Sequence, residues 1–288
     1  MNLQKSAPIF AAMGLCAVLP ARATVFIDSA TTINYVISDY TLIGYNNAAP
    51  FQVNIEAGGK IDSNLQANNS AMIAMSDGSI SGRLITTQNS RANVSGGVIG
   101  YGLLADNDSV ISVSGATIGD VEAQDNGRIT LAGGAVQQYL QASGSGSITN
   151  SGASVADYVN SQSTSTIDLR GGSVATYLQA DDQSFINVFG GSVGGSFFAN
   201  SSAVINVYGS NLLLSNPMPY NNGTQYTLTG FLQDGTPLNN TAITTANGAI
   251  VLHNSAATPA PGALPIFAGG WLAFFVGLRR RAAKSRME

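Results

Sequence analysis

Hydrophobic and polar positions recur along this chain with a fixed period. An aliphatic residue follows each glycine turn at Ile61, Ile80, Ile99, Ile118, Val136, Val155, Val174, Val193 and Leu212. The spacing is 19 residues throughout, except for a step of 18 between Ile118 and Val136. A second column runs through Leu65, Leu84, Leu103, Val121, Leu140, Val159, Leu178 and Phe197, and a third through Ile73, Ala92, Ile111, Ile129, Ile148, Ile167, Ile186 and Ile205. Two residues beyond the third lies another, from Met75 to Val207, which Asn150 interrupts. Small residues keep the same pitch at Ala67, Ala105, Ala123, Ala142, Ala180 and Ala199, with Thr86 and Ser161 in two of the places.

Within one unit, Ile186 and Val188 alternate with polar neighbours, the signature of a strand with one buried face. Gly190-Gly191 then marks a tight corner. The helical repeats and propeller blades have longer units than this. The pattern predicts an all-β chain, a parallel β-helix or solenoid of about eight 19-residue coils over residues 58–212. Coils of short strands stack at about 4.8 Å, giving a rod of roughly 38 Å. One coil cannot bury its own apolar face, so aliphatic ladders must run down the inside of the stack. Residues 24–57 are strand-like but out of register, and are expected to cap the start of the solenoid. Residues 213–257 also leave the register. There QYTLTGFLQDGTPL alternates around Asp234-Gly235, a hairpin signal, so capping strands and a linker are expected.

The N-terminus changes the picture from a cytoplasmic rod to an exported one. Lys5, an apolar stretch from Ala7 to Leu19, and Ala21-Arg22-Ala23 have the layout of a secretory signal helix over residues 1–23. Cleavage after Ala23 makes Thr24 the first mature residue, and implicates signal peptidase and the Sec export machinery as partners. Cys16, the only cysteine, lies inside this signal behind Leu15, where a lipoprotein signal needs a small residue. The mature chain is thus expected to lack disulfides and thiolate chemistry.

Composition narrows the function. Only 10% of residues are charged, against about 25% in a typical domain. Between Thr24 and Ala257 there are fifteen acids and five bases, a net charge of −10. So sparse a basic set on an acidic body argues against nucleic acid, which demands clustered Lys and Arg.

The last thirty or so residues carry the most specific signal. Pro259-Ala260-Pro261-Gly262-Ala263-Leu264-Pro265 is followed by an apolar segment, Ile266 to Leu278, and then by Arg279-Arg280-Arg281. This order, over residues 258–288, resembles the PEP-CTERM sorting tail, the exosortase substrate signal of exopolysaccharide-producing Gram-negative bacteria. Ala260 stands where that family carries glutamate between its prolines. The resemblance implies an exosortase-like membrane enzyme as partner, passage through the inner membrane, and a final place at the cell surface or in a biofilm matrix. Physical length agrees, since 13 apolar residues in a helix span about 20 Å, short of the roughly 30 Å hydrocarbon core. Such a transmembrane segment suits temporary retention, with the arginines held on the cytoplasmic side.

Two columns are candidate binding sites. A polar column at one turn includes Asp106, Asp108 and Asp125. Carboxylates gathered there offer oxygen ligands to calcium, but Asn and Asp also favour turns for their local backbone bonding. Tyr139, Tyr158 and Tyr177 are 19 apart and are expected to stack, either to bind sugar or as an outer-face ladder that adds stability. Catalysis has little to build on. His253 is the only histidine and is read as lying near the tail linker. The expectation is a non-catalytic surface or matrix protein with no cofactor. A polysaccharide- or calcium-binding adhesin is the alternative. A β-helical polysaccharide lyase is the remaining one. Resemblance to such enzymes implies a basic residue that takes a proton beside an acidic calcium site, and Arg128 comes closest to an acid, Asp125. Glycoside hydrolysis needs a carboxylate pair, for which Asp106 and Asp125, one coil apart, are the candidates.

Overall fold

A computed structural model of the chain describes residues 24–44, 50–245 and 247–255. The expected signal, with Ala21 and Ala23, lies outside these residues, as does the tail with Pro259 to Pro265 and Arg279 to Arg281. Contacts divide the chain into Met1–Asn254 and Ser255–Glu288, and of the second unit only Ser255 is described.

The body is a parallel β-solenoid, and the described residues contain no helix. Each coil contributes a strand to three faces. Four-residue strands such as Arg128–Leu131 and Ser147–Asn150 build the first face. Two-residue strands such as Ala135–Val136 and Ser154–Val155 build the second. Three-residue strands such as Leu140–Ala142 and Val159–Ser161 build the third. Every rung pairs in parallel with its counterpart one coil on: Ile148 with Ile167, Val155 with Val174, Val159 with Leu178. The aliphatic columns therefore face inward, and Ile148, Val155 and Leu178 are at most 1% exposed. Burying each such side chain stabilises the fold by about 1.5–3 kcal/mol.

The stack has about nine turns rather than eight. The difference comes from residues 24–57, whose strands join the same three faces: Thr24 pairs with Tyr40, Thr31 with Val53, and Val36 with Lys60. On the second face Ile37 pairs with Ile61, a step of 24 residues. Most of the extra length lies in the longer connection between Ile43 and Gln52, with one further residue between Ile55 and Lys60. The extra residues hid the register in the sequence without breaking the stack.

Two corners repeat. At one, the backbone turns left-handed at Asn69, Gln88, Asn107, Asp125, Gly144, Ser163, Asp182 and Ser201, one per coil. Asn and Asp tolerate that conformation better than other side chains, which accounts for much of the polar column. A buried serine closes the same corner from inside: Ser109 donates to the Thr86 carbonyl at 2.9 Å and accepts from the Asp106 amide at 3.0 Å. The other corner belongs to glycine. At Gly172 φ is +81°, and a Cβ would lie 2.2 Å from the Ala153 carbonyl oxygen. Asn150, the interruption in the apolar column, is fully buried and satisfied, accepting from the amides of Gly152 and Ala153 and donating to the Ala153 carbonyl.

The C-terminal end closes with an antiparallel meander. The strand Val204–Tyr220 leaves the first face after Val207 and pairs with Gly223–Leu232, which pairs in turn with Pro237–Thr245. The Asp234-Gly235 turn joins the last two, with the Leu232 amide bonded to the Thr236 carbonyl at 2.8 Å. Pro237–Thr245 then returns to the third face and Ala249–Asn254 to the first. Leu212, Leu228, Leu232 and Leu238 are buried and belong to the core. Pro217 and Pro219 lie on Val204–Tyr220, where a missing amide donor discourages pairing with another chain.

Truncating one rung tests the ladder. Ile129→Ala is expected to cost about 2–5 kcal/mol, and Thr130→Ala, the outward neighbour, within about 0.5 kcal/mol, both read from urea unfolding.

Candidate functional site

The single 18-residue step marks the chemically densest place in the body. Ile99 and Leu103 are four residues apart, whereas their partners Ile118 and Val121 are three apart, so the pairing shifts between Ile99 and Gly102. This corner is therefore one residue short. Gly102 leaves room outside the third face, and the Asp120 carboxylate fills it. A Cβ on Gly102 would fall only 1.9 Å from Asp120 Oδ1. Arg83 reaches across from two coils before Asp120, past Gly102. Its guanidinium sits 2.9 Å from Asp120 Oδ2 and 2.7 Å from Glu122 Oε2. A third bond, 3.1 Å to Glu122 Oε1, makes the grip on Glu122 two-pronged. Tyr139, in the next coil, donates to Glu122 Oε1 at 2.7 Å. The side chains of Asp120 and Glu122 are 8% and 13% exposed, so this is a largely desolvated ion cluster.

Its electrostatics follow from the geometry. Burial raises the Asp120 carboxyl above the ordinary value, although Arg83 pulls it down. Burial also acts to raise Glu122, but hydrogen bonds from Arg83 and Tyr139 outweigh it, and the net direction is down. The bond to Glu122 and burial push the Tyr139 hydroxyl well up. Hydrogen bonding to Glu122 likewise holds the Arg83 guanidinium in its charged form. Both carboxylates are thus tied to one guanidinium, an arrangement that braces the short coil.

Tyr139 begins the tyrosine column. Its ring stacks on Tyr158 at 5.4 Å and 12°, and Tyr158 on Tyr177 at 5.2 Å and 4°. Phe198 closes the row edge-on at 5.7 Å. The ring faces are covered by one another, so the row presents ring edges and hydroxyls outward rather than flat platforms. A second ladder stands near the C-terminal end. Arg170 lies 4.5 Å over the Phe189 ring, Phe189 stacks on Tyr208, and Tyr208 stacks on His253 at 4.3 Å. Beside it, His253 bonds to Asn206, Asn206 donates to Asn187, and Asn187 donates to Asp168. His253 is therefore a rung of the last strand and not part of a linker.

The acidic turn residues are only partly brought together. Asp106 is raised by burial, with Asp125 one coil on adding repulsion. Asp106 also accepts from the amide and side chain of Asn107, and Asp108 accepts from Asn126 at 3.2 Å. Among the described residues, no three His, Cys, Asp or Glu side chains converge as a metal site would need. The base drawn to paired acids is Arg83, not Arg128. The signal that could have located it is the short step itself, flanked by Gly100, Gly102 and Gly119.

Comparison with family models, curated proteins and solved structures finds no match, so the chemistry here rests on this chain's own geometry.

Removing Arg83 leaves two buried carboxylates without their cation. Arg83→Met is expected to destabilise the fold by about 3 kcal/mol at neutral pH, the low end for breaking a buried pair. Glu122 then keeps only the Tyr139 hydrogen bond to lower it, and both acids favour protonation more than before. A raised acid in the folded state detracts from stability as it ionises with rising pH, so the deficit should shrink as pH falls to about 4.5, the ordinary Glu value. Urea unfolding at the two pH values reads this, and Arg83→Met with Glu122→Gln should recover part of the loss.

Proposed function

We propose that the chain is a non-catalytic exported protein of the cell surface or extracellular matrix, in an exopolysaccharide or biofilm setting. Its C-terminal tail sorts and processes it, with an exosortase-like enzyme of the inner membrane acting on the proline motif. The observation that carries this reading is the order at the C-terminus: Pro259 to Pro265, then the short apolar segment, then Arg279-Arg280-Arg281. The N-terminal signal layout supports the same topology, because both ends put the body on the outer side of the inner membrane. A display role is further supported by the surface chemistry. Asp120 and Glu122 share one internal cation, Arg83, and Tyr139, Tyr158 and Tyr177 stack along the outer face.

The test is the mass of the mature protein from its native host, with and without the tail-processing enzyme. Expected is a chain that starts at Thr24 and has lost the segment after about Pro261, with the C-terminal loss abolished when the enzyme is absent. A chain still ending at Glu288 in the intact host contradicts the sorting reading.

A further inference from the structure

Buried polar atoms without partners are uncommon in native folds, and each calls for an explanation. Three side-chain atoms of this kind occur among the described residues: Asn68 Nδ2, Asp120 Oδ1 and Asn160 Oδ1. Two of the three are acceptors on the outer side of the third face. Asp120 shares a column with the tyrosines, and Asn160 stands in the adjoining column between Gln141 and Gln179.

Asn160 is the telling one. Its neighbours Val159 and Ser161 point into the core, so alternation turns Asn160 outward, yet it is only 8% exposed. No hydrogen bond of its side chain appears among the described residues. Gln141 and Gln179, each one methylene longer, flank it one coil to either side. Gln179 is held by Asp181 at 2.7 Å, whereas Gln141 carries no such bond and is free to swing aside. Asn160 is thus a short, covered rung between two longer ones, on the same outer face as the tyrosine row.

We propose that this face binds a neutral, extended glycan along the coil axis, with Asn160 Oδ1 accepting a sugar hydroxyl once Gln141 moves away. Each feature matches a ligand rich in hydroxyl donors. The orphan atoms are acceptors, the tyrosine hydroxyls and glutamine amides both donate and accept, and the rungs repeat at the coil spacing of about 4.8 Å. A repeating array of hydrogen-bonding groups suits a repeating polymer. Recognition runs through hydroxyls and amides rather than ring stacking, because the tyrosine faces cover one another. An acidic polymer is disfavoured by Asp157, bonded to Thr176 beside this column, and by Asp181 at its edge. The proposal is independent of how the chain is sorted.

The experiment titrates the full chain by calorimetry with neutral oligosaccharides of two to six units, β-1,4-linked glucose and β-1,4-linked N-acetylglucosamine among them. Expected is binding that strengthens with length up to the extent of the three tyrosine coils. Asn160→Leu and Tyr158→Phe should each weaken it at least tenfold while leaving the melting temperature unchanged or, for Asn160→Leu, raised. Absence of binding across the panel overturns the proposal, and so does binding that both variants retain. Loss of binding only in variants that also lose their cooperative melt would show unfolding, and Tyr158→Phe, which keeps the ring stack, then decides.

Discussion

Every feature of this protein depends on one constraint, the in-register parallel stacking of successive coils. Because residue i pairs with residue i+19 on all three faces, each side chain has its own kind as neighbour above and below. Inside, that rule turns alternation into continuous ladders of isoleucine, valine and leucine. At the corners it repeats one backbone conformation coil after coil, so asparagine and aspartate gather where φ is positive. Outside, it aligns tyrosines face to face and asparagines head to tail. The Arg83 cluster is what the same rule yields where the corner is one residue short. The shift brings Asp120 over Gly102, and Arg83, two coils before Asp120, supplies the cation.

Much of the architecture was legible in the sequence because the solenoid's core contacts are periodic. The columns through Ile148 and Leu140 could be read by counting alone. The first turn was hidden, since the longer connection after Ile43 moved its register while leaving Ile37 and Ile61 paired. Asp234-Gly235 announced its turn, but the return of Ala249–Asn254 to the first face was invisible, because rejoining a sheet leaves no local pattern. The site was harder still. The tyrosine row followed from its spacing. The meeting of Arg83 with Asp120 and Glu122 joins residues 37 and 39 apart, and its only trace was a step of 18. His253 was misplaced for a related reason: its partners Tyr208 and Asn206 lie some forty-five residues earlier, beyond an intervening meander.

Function divides along the same lines. The proposed address rests on the two ends of the chain, and the proposed recognition on its body. The Leu212, Leu228, Leu232 and Leu238 cover closes the stack at its C-terminal end. The proposed glycan face lies next to the charged cluster without using its cation. Stability near Arg83 and recognition near Asn160 can therefore be separated by mutation.

The most direct test of the account is removal of one whole coil. Deleting residues 147–165 leaves Arg128 to pair with Thr166 in place of Ser147 and restores every ladder, since Ser147 and Thr166 are equivalent rungs. Urea unfolding of this variant should remain a single cooperative transition with native-like β-sheet circular dichroism. A control lacking only residues 147–155, about half a coil, should lose that transition. If the full-coil deletion unfolds as readily as the half-coil one, stacking by equivalent rungs is not what holds the protein together.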